Sequence, residues 1–198
     1  ERTGRSYWEY VQQCEESDIW DYLNEVWKTM RKAITNGIGA TGILPGGLYV
    51  ERRANILYSR HAPEESAETR ENRLVCAYAF AVGEENAAGG TIVTAPTCGA
   101  CGVLPAVLMY AQRRQGYTEE QIVDALATAG LIGNLIKTNA SISGAECGCQ
   151  AEIGSACSMA AAALGELFSL DIDKIEYAAE IAIEHHLGLT CDPICGLV

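Results

Sequence analysis

The 198-residue sequence predicts a mainly α fold: a helical domain with a buried Ala-rich central helix and Gly/Ser/Cys-rich loops at its helix ends. Three observations carry this prediction. Apolar residues recur at helical spacing, most clearly in the series Trp20, Leu23, Trp27, Met30 and Ile34. Thr118-Glu-Glu-Gln121 is a capping-box signature, in which the threonine oxygen accepts from the amide three residues on and the glutamine reaches back. Strand signals are confined to 48–50 and 91–94, runs too short to build a sheet.

The elements follow in order. A helix is expected over 17–34, stopped by Gly37. The passage 37–47, rich in glycine with Pro45, must turn repeatedly. The charged stretch 62–71 reads as an exposed loop leading into a helix over 72–82. After 89–104 comes an apolar helix reaching about residue 115; Pro105 is tolerated in its first turn, where a missing donor costs little. The helix capped at Thr118 should continue through Ile122, Leu126 and Leu131 to about 136. Residues 154–167 are apolar nearly all round and rich in alanine, the mark of a buried central helix. The last helix is expected over 171–187, closed by Gly188. No internal repeat is visible, and 1–198 reads as a single helical domain.

Composition bounds the function. Apolar residues make up 48% and charged residues 20%, a globular balance. The formal charge of −12 argues against nucleic acid, whose phosphates need a basic surface. No apolar run reaches membrane-spanning length and no signal peptide precedes the first helix, so a soluble, cytoplasmic chain is expected. Nine cysteines, an odd count without a secretory signal, do not read as a disulfide framework. In a reducing compartment such thiols are small core residues, reactive groups or metal ligands. Cys76 and Cys157 lie in apolar helical runs and read as core; Cys14, ahead of the first strong helix, carries no assigned role.

Two cysteine-bearing loops hold the chemistry. Gly144-Ala-Glu-Cys-Gly-Cys149-Gln-Ala-Glu152 and Leu189-Thr-Cys191-Asp-Pro193 set thiols on turns among residues too small to shield them. Cys98-Gly-Ala-Cys101 is a weaker signal, since a zinc ribbon needs a second such pair and a redox motif needs a thioredoxin-like context. Irregular, long separations suit an iron–sulfur centre whose ligands come from distant loops, with structural zinc the alternative. Loops 94–102 and 139–148 each feed a helix N-terminus, where free amides stabilise a carboxylate or an anionic cluster. His185 and His186 end the last helix; one satisfies its last carbonyls, and the other faces the cysteine loop as an acid or base. His61 sits on a loop after Tyr58-Ser-Arg60. Lys137 raises a Schiff base with pyridoxal phosphate, but no phosphate cradle is recognisable, so it reads as a surface lysine or a carboxylate clamp.

Taken together, these segments resemble the catalytic domain of the iron–sulfur-dependent L-serine dehydratases (L-serine ammonia-lyases). The resemblance covers nearly the whole chain. It rests on Leu44-Pro-Gly-Gly-Leu48 with Arg52-Arg-Ala54, Glu84-Glu-Asn-Ala-Ala-Gly-Gly90, Val93-Thr-Ala-Pro-Thr97, Gly99-Ala-Cys-Gly102, Asn139-Ala-Ser-Ile-Ser-Gly-Ala-Glu146, Gly148-Cys-Gln-Ala-Glu152 and Leu187-Gly-Leu-Thr-Cys-Asp-Pro193.

The resemblance implies an oxygen-sensitive 4Fe–4S cluster on three cysteines, its open iron polarising the C–O bond of L-serine, which is converted to pyruvate and ammonia. Cys149 and Cys191 match two ligand positions; the third is expected beyond Val198. Cys195 stands where the family has a small residue, Cys101 matches a family cysteine that is not a ligand, and Cys98 departs from the usual residue. Thr94, Thr97, Ser141 and Ser143 are expected to line the carboxylate site, with helix capping the plainer role for the two serines. His186 or His61 is expected to transfer protons. The family also carries a regulatory domain or β-subunit that these residues lack, so a fragment acting with that partner, and a homo-oligomer, are expected. The alternatives are a cysteine desulfidase-like lyase, pyridoxal-dependent deamination, and a non-catalytic fragment needing its partner domain.

Overall fold

Ser6 starts the first helix: its side-chain oxygen accepts from the Glu9 amide while the Glu9 carboxylate accepts from the Ser6 amide at 2.8 Å. This reciprocal cap nucleates α1 (Tyr7–Cys14), an element absent from the expectation although Ser-x-x-Glu is its signature. Cys14 therefore ends a helix rather than preceding the first one. The computed structural model describes residues 4–61 and 63–190. Among them lie nine helices and no strand, with one isolated bridge between Ile43 and Glu51.

Helix α2 (Ile19–Gly39) buries Leu23, Trp27, Met30, Ala33, Ile34 and Gly37 on one face. It runs on past the expected stop at Gly37, because that glycine lies against α4 rather than in a turn. Helix α3 (Ala54–Ser59) was not anticipated, and its cap comes from far along the chain. Helix α4 (Ala67–Ala87) starts five residues earlier than predicted, where Ser66 accepts from the Thr69 amide at 3.2 Å. Its charged first turns are solvated, so they form helix without contributing an apolar pattern.

Helices α5 (Val103–Gln115) and α6 (Glu119–Asn139) match expectation, with Pro105 in the first turn of α5 and the Thr118–Gln121 capping box present in both directions. A four-residue helix, α7 (Gly144–Cys147), and Gly148 lead directly into α8 (Cys149–Leu167). The central helix thus begins five residues before the predicted 154. The chain closes with α9 (Ile172–Glu184), shorter than predicted, His185 being its C-cap.

Helix α8 packs against α5, α6 and α9, while α2 and α3 pack against α4. Ala156, Ala160, Ala162 and Ala163 are buried along α8, and such small side chains allow neighbouring backbones to approach closely. The main core gathers Trp27, Met30, Ile34, Leu104, Leu108 and Ile122; a second cluster joins Ile132, Ala162, Ile175 and Ala179 between α6, α8 and α9. No helix among the described residues is long and apolar enough to cross a membrane.

Candidate functional site

The N-terminal end of α8 is where the glycine-rich loops converge. Its fourth residue, Glu152, extends a carboxylate to the turn that precedes α5. The Thr97 hydroxyl and the Gly99 amide both donate to Glu152 Oε1, the latter at 3.1 Å. A Cβ on Gly99 would lie 2.6 Å from Oε1, and one on Gly144 would lie 2.9 Å from Oε2. A side chain at either position would displace the carboxylate from this place. Cys149, half-buried, sits three residues earlier on the same face of α8, in its first turn. Helix N-terminal amides and the aligned peptide dipoles place a partial positive charge there.

The 97–99 turn is also gripped from the opposite side. Asn86 Nδ2 donates to the Cys98 carbonyl at 3.2 Å. Its two predecessors hold other segments. Buried Glu84 accepts from the Arg53 and Ala54 amides, the latter at 3.1 Å, which caps α3; Glu85 accepts from Asn36 Nδ2 of α2 at 3.0 Å. Three consecutive residues of α4 thus fix α3, α2 and the turn. The 84–90 and 148–152 segments carry the family resemblance, but nothing in their sequence marks a role for Glu84, Asn86 or Glu152. Each acts on a residue distant in the chain, so no local motif marks it.

Of the residues expected to line a carboxylate site, Thr97 is engaged by Glu152. Ser141 donates its hydroxyl to the Glu146 carboxylate and accepts from the Ser143 amide at 3.1 Å. Ser143 is the N-cap of α7 without a side-chain capping bond. Thr94 is exposed in the extended run before the cis Ala95–Pro96 bond.

The cysteines separate by environment. Cys101 is buried, and burial first, then neighbouring Cys98, pushes its thiol up to about 11, so it stays protonated at neutral pH. Cys76, expected in the core, is exposed, because α4 turns Ala77, Tyr78 and Ala81 inward instead. Cys14, Cys98 and Cys147 are exposed as well. Cys191 and Cys195 lie outside the described residues. Among those described, no three potential metal ligands gather. The segment leading to Cys191 is anchored beside Cys149, the Gly188 amide donating to Gln150 Oε1 at 3.0 Å.

His186 has partners on both ring nitrogens: Nδ1 lies 2.8 Å from the Ala182 carbonyl, and Nε2 lies 3.5 Å from Cys157 Sγ. The carbonyl can only accept, so Nδ1 carries the proton and Nε2 faces the Cys157 thiol, itself raised by burial. Cys157 is two turns beyond Cys149, about 12 Å along the axis. His185 is exposed. His61 is exposed on the α3–α4 loop, in a cavity it shares with Tyr58, Arg73 and Tyr78. Arg113, near the far end of α5, donates to both tyrosine hydroxyls at 3.4 and 2.9 Å. That end lies about 16 Å along the helix from the 97–102 turn. Neither histidine joins the Glu152 cluster. Lys137 is exposed in the last turn of α6.

Residues 3–198 match the family described as serine dehydratase alpha chain. An L-serine dehydratase of Streptomyces coelicolor is 51% identical over 93% of this chain and 41% of its own length. One from Haemophilus influenzae is 51% identical over 89% of this chain and 40% of its own, and L-serine dehydratase 2 of Escherichia coli is 48% identical over 91% and 41%. The chain spans about two fifths of the length of these curated relatives.

Proposed function

The chain belongs to the serine dehydratase alpha chain family, and from that premise we propose that it carries the catalytic site of an L-serine dehydratase, which releases pyruvate and ammonia from L-serine. The single observation that carries the reading is the position of Cys149. Its thiol stands at the N-terminus of α8, one turn from the Glu152 carboxylate, with the segment entering Cys191 tied to the adjacent Gln150.

A 4Fe–4S cluster fits this donor set. A half-buried thiol at a helix N-terminus, flanked by Gly148 and near Gly144, offers sulfur, positive dipole and space together. Cys149 and Cys191 are the residues that would hold it. When bound, the cluster supplies a Lewis acid for the serine hydroxyl, whose oxygen is otherwise a poor leaving group. The protein's own residues bind and orient the substrate. Thr94 and Ser143, with backbone amides of the 94–102 and 139–148 loops, take its carboxylate; Ser141 holds Glu146 and Thr97 holds Glu152 in place. The additional length of the relatives fits a regulatory partner domain, and the reading includes a cytoplasmic homo-oligomer.

Anaerobic reconstitution of the full-length protein with iron and sulfide tests this reading. Pyruvate release from L-serine supports it, and a preference for L-cysteine overturns it in favour of a desulfidase. Cys149→Ser and Cys191→Ser should lose iron, whereas Cys76→Ser should keep it; equal iron in all three refutes the ligand assignment.

A further inference from the structure

We propose that Glu152 is the group that removes the Cα proton of the substrate. This assignment rests on the serine dehydratase reading and names the base that reading leaves open.

Elimination needs a proton acceptor with an uncommitted lone pair beside the reacting carbon. The sequence pointed to a histidine, yet both ring nitrogens of His186 are engaged, and His61 lies toward the far end of α5. Glu152 meets the requirement. Oε1 accepts from the Thr97 hydroxyl and the Gly99 amide, which fixes the carboxylate plane; Oε2 accepts no hydrogen bond from the described residues. Asn86 steadies the same turn through the Cys98 carbonyl, so the acceptor is held from two helices. Glycines at 99 and 144 remove the side chains that would otherwise overlap it.

The register along α8 supplies the remaining geometry. Glu152 follows Cys149 by three residues, about 4.5 Å of axial rise on one face. A serine whose hydroxyl is oriented toward Cys149 has its Cα only two bonds from that oxygen, on the side of the helix the carboxylate occupies. Glu146, the other nearby carboxylate, is exposed and takes the Ser141 hydroxyl.

The step balances. The Cα–H bond breaks, its electron pair becomes the Cα–Cβ π bond, and the proton moves to Oε2. The Cβ–O bond breaks with its own pair and the oxygen leaves as hydroxide. The resulting 2-aminoacrylate shifts a proton from nitrogen to Cβ, and one water hydrolyses the imine to pyruvate and ammonia. The proton on Glu152 and the departed hydroxide together restore that water.

Glu152→Gln in the full-length, iron-loaded enzyme separates basicity from placement, because the amide oxygen still accepts from Thr97 and Gly99. The expected result is a fall in kcat of about 100-fold or more, with iron content and the KM for serine nearly unchanged. Serine deuterated at Cα should show a larger isotope effect on kcat in the variant than in the wild type. A variant that keeps kcat within about threefold, or shows an unchanged isotope effect, overturns the assignment. Iron lost together with activity, and regained in Glu152→Asp without turnover, makes Glu152 a positioning residue and also overturns it. A wild-type enzyme that releases no pyruvate overturns the parent reading, and this one with it; an active wild type beside an active Glu152→Gln sinks this one alone.

Discussion

Gly37 of α2 and Ala81 of α4 meet backbone to backbone: a Cβ on Gly37 would lie 2.1 Å from the Ala81 carbonyl oxygen and 2.6 Å from its Cα. The obstacle is main chain within a helix, so it cannot swing aside. Gly37→Ala must push α2 and α4 apart and should destabilise the fold by roughly 2–3 kcal/mol. The measurement is the urea midpoint, shifted down with an unchanged slope. Gly130→Ala, mid-α6 with nothing within 4 Å of its Cβ position, should instead gain up to about 1 kcal/mol from helix propensity.

Thiol alkylation will sort the cysteines by environment. Burial holds the Cys101 thiol at about 11, so only about one molecule in a thousand carries the reactive thiolate at pH 8. Cys14, Cys76, Cys98 and Cys147 are exposed. Timed iodoacetamide treatment followed by peptide mass spectrometry should modify those four well before Cys101. Comparable rates at Cys98 and Cys101 would contradict the burial of Cys101.

The α6–α8 contact makes stability depend on pH. Burial first, and Glu120 second, push the Asp124 carboxyl up to about 6 from 3.8. Glu166 of α8 is raised too, by burial first and then by Asp124 and Glu9, against the lowering effect of the Thr128 hydroxyl bond. The folded state therefore holds more protons than the unfolded chain between about pH 4 and 6, and stability falls as pH rises through that window. Asp124 is partly solvated, so screening limits the penalty at neutral pH to the order of 1 kcal/mol. Asp124→Asn should gain about that much at pH 7 and little near pH 4, read from denaturant midpoints at the two pH values.

The segment 185–190 is held to α8 by few bonds: His186 to Cys157, and Gly188 to Gln150. His186→Ala should loosen this segment while leaving the core intact. Amide exchange at 185–190 should accelerate about tenfold, matching one lost hydrogen bond of roughly 1–1.5 kcal/mol. Global unfolding should move by less than about 1 kcal/mol. Unchanged exchange would mean that other contacts dock the segment.

How much was legible can be traced through particular elements. Helices α2, α5, α6 and α8 were read from apolar spacing and from caps four residues wide, and their cores are where that spacing put them. Helix α1 is equally readable through Ser6 and Glu9 but buries no residue, so apolar spacing does not reveal it. Helix α3 was not readable at all, since its cap is Glu84, 31 residues from the Arg53 amide it accepts from. At the candidate site, the loops bearing Cys149, Thr97 and Ser141 stand out by composition, whereas Glu152 reads only as the last residue of a cysteine-bearing loop, since its partners Thr97 and Gly99 lie far along the chain.

The amino-acid order alone determined the helical class, the caps of α1, α4, α6 and α9, the Ala-rich α8 and the cysteine-bearing loops, because each is set by interactions within about one turn of chain. Tertiary structure alone decided which of those loops face one another. The Thr97–Glu152 bond joins residues 55 apart, and Cys157–His186 joins residues 29 apart. Contacts at such separations depend on how α8 seats against α5 and α9, and that seating is fixed by the packing of many small side chains that no local pattern in the chain encodes.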